Sequence, residues 1–401
     1  MLPRYNLSRM EEFLSRLGNP QADIPTVHIA GTKGKGSTAA MVTSILQKQG
    51  YRTGLFTSPH LHTFRERIRM GLEPISEAQF AFLVDKIWPV VEDINKTDPK
   101  DKVTTFEMLV AMAFTHFSLE NAQIQVLEVG LGGRLDATNT VPAPLVCTIT
   151  PLSLDHTAVL GTTIEEIAQE KAGIIKPGAM VVTAYQPTEA LNVIKETCDT
   201  RGATLVEVTQ KYTWERNRAD LDGQSFWLRT TDDEWELSTN LLGRHQIENA
   251  ALAVATTRAL HSYAITISRE SIVTGIKKAH WSGRLEVLSK QPLILADGAH
   301  NQASMARLRM AIQEDVIHER LILVLGGSAD KDHHAMFEEL ALLKPDLIIA
   351  TRSRHPKALP TDVIAKPFHE SGFVVEEAPS TFDALRLALA SAGNKDLVLA
   401  T

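Results

Sequence analysis

The chain has only two cysteines, Cys147 and Cys198, in 401 residues. That is too few for a disulfide framework or a cysteine-built metal centre, and a reducing, cytoplasmic setting is expected. It also lacks a basic excess. Its 41 Lys and Arg are outnumbered by 48 Asp and Glu, for a net charge of −7, and no basic cluster offers the footprint of a nucleic-acid backbone. No apolar run approaches the ~18 residues of a membrane span, and Met1 to Met10 carry no signal-peptide pattern. What remains is a composition of 44% hydrophobic and 22% charged residues, that of a soluble globular protein. The length exceeds one ordinary domain, so two packed units are expected.

The most specific stretch is Val27 to Thr38, Val-His-Ile-Ala-Gly-Thr-Lys-Gly-Lys-Gly-Ser-Thr. An apolar strand breaks into a glycine-rich loop that opens a helix. Gly31, Gly34 and Gly36 allow backbone N–H groups to curl round an anion, with Thr32 and Thr38 in the same loop. Lys35 adds a mobile positive charge and Ser37 can reach a bound Mg²⁺. The spacing departs from the common phosphate-loop form, because Gly36 stands between Lys35 and the hydroxyl residue.

An amphipathic helix precedes this loop, with Leu7, Met10, Phe13, Leu14 and Leu17 at helical spacing. After it, a helix to Gly50 and a strand Thr53 to Thr57 complete a βαβ unit. Ser58 follows that strand and can be a metal-shell hydroxyl or a turn former before Pro59. The run Arg65, Arg67, Arg69 is either a solvated face or a surface for an anionic substrate. Residues 78 to 96 read as a helix, and Thr104 with Glu107 as the capping box of the next. Glu128 is a lone acid at the tip of the apolar strand that starts at Ile124, so it needs either Mg²⁺ or an internal ion pair. His156 follows the strand Leu145 to Thr150 and is either a core residue or a ligand. Residues 204 to 240 read as a small hairpin region on the rim. Asn249 lies on a long helix approached by Gly243 to Gln246, where an exposed amide is the plain alternative to a ligand contact. Beyond a hinge at Trp281, strands at 293–296, 321–325, 347–350, 372–375 and 397–400 alternate with helical patterns.

The phosphate loop in its Gly-Thr-Lys-Gly-Lys-Gly-Ser form, with Thr57-Ser58-Pro59-His60-Leu61 and Arg65-Glu66-Arg67-Ile68-Arg69, resembles the folylpolyglutamate synthases and dihydrofolate synthases. These are ATP-dependent ligases related to the Mur ligases of cell-wall synthesis. Gly130-Leu131-Gly132-Gly133-Arg134-Leu135-Asp136-Ala137-Thr138-Asn139 also matches the family. Bacterial members more often carry Asn where this chain has Lys33. The resemblance spans nearly the whole chain, although members continue past a strand like Leu397 to Ala400 with Gly-Ser, where this chain stops at Thr401.

The resemblance implies an α/β fold. A P-loop ATPase domain with a mostly parallel sheet, residues 1–281, would bind ATP and the folate. A smaller Rossmann-like C-terminal domain, residues 282–401, would be the glutamate ligase domain. It also implies Phe106 and Asp136 beside the pterin, Asn249 at the adenine, and Arg284, Asp297 and His300 on the nucleotide. The loop holding Lys331 and Asp332 is expected to face the substrate. ATP and Mg²⁺ are the expected cofactors. A folate or pteroate and L-glutamate are the expected substrates of a monomer.

Lys171 falls four residues after Ile167 on the helix from Ile164 to Ala172, which sets an ammonium on a buried stripe. It can pair or snorkel, or lose its proton and add CO₂. In the resembling family the matching lysine is carbamylated near the metal-binding His, which implies a second Mg²⁺ near Lys171, His156 and Glu128. A Mur-type amino-acid ligase shares this mechanism with another acceptor. A P-loop nucleotide switch without ligase chemistry is the rival from a different class.

Overall fold

A computed structural model describes residues 7–97, 101–329 and 332–401. Lys331 lies outside the described residues. The chain divides into two units. The first holds residues up to Glu215 with Phe226–Thr239 and Gln246–His280, and the second holds Arg216–Ser225, Asn240–His245 and Trp281–Thr401.

The first unit is built on an eight-stranded sheet. Its strands are β1 (Thr26–Ala30), β2 (Thr53–Phe56), β3 (Ile68–Met70), β4 (Glu73–Pro74), β5 (Ile124–Glu128), β6 (Val146–Ile149), β7 (Met180–Thr183) and β8 (Thr204–Glu207), in the order β4-β3-β2-β5-β1-β6-β7-β8. All pairings are parallel except those of β3 with β2 and with β4. Every residue of β1 and β5 is buried, as expected of parallel strands covered on both faces. The chain leaves β1 toward β2 on one side and later returns to β6 on the other. The carboxyl end of β1 is therefore a topological switch point, where open α/β sheets bind ligands.

Side-chain caps start the helices that surround this edge. Thr104 and Thr163 each close a capping box with Glu107 and Glu166. Glu107 also takes Arg9 Nη2 at 2.8 Å, which ties the first helix, Ser8–Arg16, to helix Thr105–Leu119.

The reading of residues 204 to 240 as one rim hairpin is corrected in part. Thr204–Glu207 extends the large sheet as β8, because it follows helix Thr188–Arg201 in a regular crossover from β7. The rest forms a separate three-stranded sheet in the order β11-β10-β9, from β9 (Thr213–Asp220), β10 (Gly223–Arg229) and β11 (Glu234–Thr239).

The second unit carries a six-stranded sheet. Its strands are β12 (Glu286–Lys290), β13 (Leu293–Ala296), β14 (Leu321–Leu325), β15 (Leu347–Ala350), β16 (Val375–Glu377) and β17 (Leu397–Ala400), in the order β12-β13-β17-β14-β15-β16. The antiparallel strand β12 was not anticipated. The strand expected at 372–375 begins only at Val375, since Gly372 at φ +83° is still closing helix Thr361–Glu370. Packed between its sheet and helices is a core that includes Leu295, Met305, Leu323, Leu340, Ile348 and Leu399.

Helix Lys35–Lys48, which carries the phosphate loop at its start, is held by helix Arg269–Lys278. A Cβ at Gly275 would stand 2.5 Å from the Cα of Ile45, and Ser44 Oγ donates to the Gly275 carbonyl at 2.7 Å. The two backbones touch only because Gly275 has no side chain. Gly275→Ala should therefore lower the melting temperature in calorimetry, despite alanine's better helix propensity, with an overpacking cost of about 1–3 kcal/mol. An unchanged or raised melting temperature would contradict this contact.

Candidate functional site

β1 ends at Ala30, and Gly31 follows at φ +146°, a conformation closed to most side chains. A Cβ there would come within 1.8 Å of Thr150 Oγ1, so this loop lies directly on the end of β6. Gly34 is the N-cap of helix Lys35–Lys48 at φ +85°, and its missing Cβ would meet Asn249 Oδ1 at 2.3 Å. Among the described residues no side chain caps this helix. Its first backbone N–H groups, at Lys35, Gly36 and Ser37, have no intrahelical acceptor and face outward with the positive end of the dipole.

The loop is braced by the segment after β6. The N–H groups of Thr32 and Lys33 donate to the Pro151 carbonyl at 3.1 and 3.2 Å, and Thr32 Oγ1 donates to the Ser153 carbonyl at 3.1 Å. Lys33 Nζ pairs with Asp155 at 3.1 Å, both side chains being largely buried. Ser37 and Thr38 are buried, and the Thr38 hydroxyl has no partner among the described residues. A glycine cradle, an uncapped helix start, the Lys35 ammonium and an unused hydroxyl fit a polyphosphate and its divalent cation.

Lys171 is 5% exposed on helix Ile164–Ala172. Its Nζ donates to the Gly31 carbonyl at 2.9 Å, so the lysine does not snorkel outward but supports the cradle from beneath. Burial first, and then the charge of Lys35, bring its pKa down to about 7, with Asp155 and Asp136 opposing. A large fraction is then a neutral, nucleophilic amine at physiological pH.

Glu128 ends β5 and is buried, accepting the Ser58 N–H at 3.1 Å. Its charge opposes the fall that burial imposes on the pKa of Arg67, whose Nε donates to His60 Nδ1 at 2.9 Å. Arg67 is half-buried at the turn that leads into β3. His156 is exposed at φ +52°, and its own N–H donates to Asp155 Oδ1 at 2.9 Å. Among the described residues no three His, Cys, Asp or Glu side chains cluster as a ready metal cage. Phe106 lies edge-on to Phe56 at 5.9 Å. Asp136 is buried with both oxygens bonded inside its own loop, Oδ2 by the N–H of Gly130 and Leu131 and Oδ1 by Thr138. Burial raises its pKa and these donors oppose the rise. Asn249 is 2% exposed, which replaces the exposed-amide alternative: its amide donates to Gln246 Oε1 at 2.9 Å.

In the second unit Arg284, Asp297 and His300 come together at the end of β13. Asp297 accepts the N–H groups of Leu285 and Ala299, each at 2.8 Å, which joins the two loops. Burial raises its pKa, and Arg284 opposes that most strongly. His300 is exposed, with Nδ1 donating to the Gly298 carbonyl at 2.8 Å. Asp332 is the cap of helix His333–Ala341, accepting the Ala335 N–H at 3.3 Å.

Sequence reasoning did not single out Thr150 or the Lys33–Asp155 pair. Opposite charges in the loops after β1 and β6 were the available signal for the pair; nothing local marks Thr150.

The Mur ligase middle domain pattern matches residues 29–257, and the Mur ligase glutamate ligase domain pattern matches residues 283–401. The dihydrofolate synthase/folylpolyglutamate synthase of Bacillus subtilis is 35% identical over 98% of this chain and 91% of that protein. The Mycobacterium tuberculosis folylpolyglutamate synthase complexed with ADP and AMPPCP superposes with a TM-score of 0.92 at 30% identity, over 99% of this chain and 92% of that one. FolC of E. coli in complex with DHPP and ADP gives 0.87 at 28% identity, over 100% and 91%. No helix among the described residues is long and apolar enough to cross a membrane.

Since Lys171 loses its proton around pH 7 in the folded protein but only around 10.5 when unfolded, the unfolded state holds more protons between those values. Stability should therefore rise with pH across that window. Lys171→Met should be more stable than the parent at pH 7, with the advantage shrinking toward pH 10 in denaturant titrations. An advantage that stays constant with pH would show that Lys171 does not titrate there.

Proposed function

Because the chain belongs to the folylpolyglutamate synthase/dihydrofolate synthase family of Mur ligases, we propose that it is an ATP-dependent ligase that joins L-glutamate to a folate-type carboxylate. The observation that carries this is the uncapped glycine cradle at Gly31 to Ser37 with Lys171 beneath it. The carboxylate oxygen attacks the γ-phosphorus of ATP and ADP leaves. The glutamate amino nitrogen then attacks the carbonyl carbon of the acyl phosphate, loses a proton, and inorganic phosphate departs with the C–O bond.

The protein's part is electrostatic and positional. Backbone N–H groups at the start of helix Lys35–Lys48 hold the phosphates, and Lys35 stabilises charge on the transferring phosphoryl group. Ser37, Ser58, Glu128 and His156 are the residues that would hold Mg²⁺, which screens the phosphate charge. Lys171 Nζ adds to the carbon of CO₂ and loses a proton, and the resulting carbamate would add an anionic oxygen donor to the residues that would hold Mg²⁺. Gly31, Thr32, Gly34, Gly36 and Thr38 shape the cradle, and Asn249 meets the adenine. Arg67, Phe106 and Asp136 serve the folate side. Arg284, Asp297 and His300 act on the nucleotide from the C-terminal domain, and Lys331 and Asp332 on the substrate. Residues 1–281, apart from the segments Arg216–Ser225 and Asn240–His245 and from Trp281, then form the ATP- and folate-binding domain and 282–401 the body of the glutamate ligase domain, in a cytoplasmic monomer.

The decisive assay incubates the protein with ATP, glutamate and either dihydropteroate or tetrahydrofolate, and weighs the products. A mass gain of one glutamate supports the reading, and ATP hydrolysis without any ligated product overturns it. In the same assay Lys35→Ala should lose nearly all turnover while keeping its fold, a barrier increase on the order of 3 kcal/mol or more. Near-normal turnover would remove Lys35 from the mechanism. Lys171→Ala should also be nearly inactive, with partial recovery on adding a short carboxylic acid. Unmodified Lys171 in a metal-loaded crystal structure prepared with bicarbonate would overturn the carbamate.

A further inference from the structure

His28 is a polar residue that none of the chemistry above uses. It lies in the middle of β1, three residues before Gly31, and is 0% exposed. An imidazole in a fully buried strand is costly unless it is bonded. Its Nε2 is 2.9 Å from Thr138 Oγ1, and Thr138 Oγ1 donates to Asp136 Oδ1 at 2.6 Å. A hydroxyl has one proton to give. With that proton committed to Asp136, the Thr138 oxygen accepts from His28 Nε2–H, which sets the tautomer. Burial, and then the charge of Lys176, hold the His28 pKa down at about 3, and the buried Nδ1 has no partner among the described residues, as befits a bare lone pair.

The chain of bonds continues past Asp136. Oδ2 of Asp136 takes the N–H of Gly130 at 3.0 Å and of Leu131 at 2.9 Å. A Cβ on Gly130 would lie 2.4 Å from Phe106 Cζ and 3.2 Å from Asp136 Oδ2, so the ring and the carboxylate grip the same residue. The relay therefore runs from the strand that ends in the phosphate loop to the Gly130–Leu131 turn and the Phe106 ring, a ring assigned above to the folate side. Without a donor at position 28, the Thr138 hydroxyl is free to rotate and its hold on Asp136 weakens.

We propose that His28 is a positioning residue for the folate side of the site, acting through Thr138 and Asp136 on the Gly130–Leu131 turn and the Phe106 ring. The proposal rests on the folate reading for its substrate. Two variants break the relay, His28→Met and the nearly isosteric Thr138→Val. Two others keep its bonds, since the amide of His28→Gln can donate from the Nε2 position and Thr138→Ser retains the hydroxyl.

The breaking variants should raise the KM for the folate-type substrate about tenfold, the loss of one hydrogen bond that serves a charged group, and leave the KM for ATP and kcat within about twofold. The keeping variants should stay near the parent. The double variant His28→Met/Thr138→Val should be no worse than either single one, because both cut the same chain. Amide hydrogen exchange at Gly130 and Leu131 should quicken in the breaking variants alone. An unchanged folate KM in Thr138→Val, an equal rise in the ATP KM, or unchanged exchange at the two amides overturns the proposal. Thr138→Val keeps the test open if His28→Met does not fold. A parent protein that ligates no folate overturns the substrate reading instead, and the exchange data decide the relay independently of it.

Discussion

The first unit depends on one close approach, that of Gly31 to its surroundings. Its φ of +146° and the 1.8 Å that would separate an added Cβ from Thr150 Oγ1 leave room for no other residue. Its carbonyl is turned to receive the buried Lys171 ammonium or amine at 2.9 Å. The direction in which the chain leaves β1, and so the aim of the helix that follows, is set there. Gly34 repeats the constraint one turn later against Asn249, which is why an amide far along the chain is part of the same cradle.

The charges around this point are arranged to favour an anion. Lys35 and Lys33 both lower the pKa of Lys171, and Asp155, which pairs with Lys33, opposes them. The repulsion contributes to bringing Lys171 down to about 7 after burial has done most of it. Asp155, which pairs with Lys33, also accepts the N–H of His156, the next residue.

In both units an aspartate organises a loop at a strand end by collecting backbone N–H groups. Asp136 does so for the turn after β5, and Asp297 for the loops at the end of β13, where it links Leu285 to Ala299. Burial pushes both carboxyl groups upward in pKa, and bonded donors oppose it. Neither carboxylate is presented with unused oxygens, so each shapes its site through the backbone it holds.

Much of this was readable along the chain because the signals are local. Val27 to Thr38 folds as strand, glycine loop and helix; Thr104 with Glu107 and Thr163 with Glu166 form their capping boxes; and helical spacing alone put Lys171 on a buried stripe. Each depends on residues within a turn or two of one another, whose geometry follows from backbone sterics and hydrogen bonding. Tertiary structure decided the rest: that β8 joins the large sheet, that β12 runs antiparallel to β13, that Asn249 is buried behind Gly34, and that His28 reaches Thr138. The partners in those contacts come from separate strands and helices, and no periodicity or spacing encodes a meeting that only the packing of the whole sheet brings about.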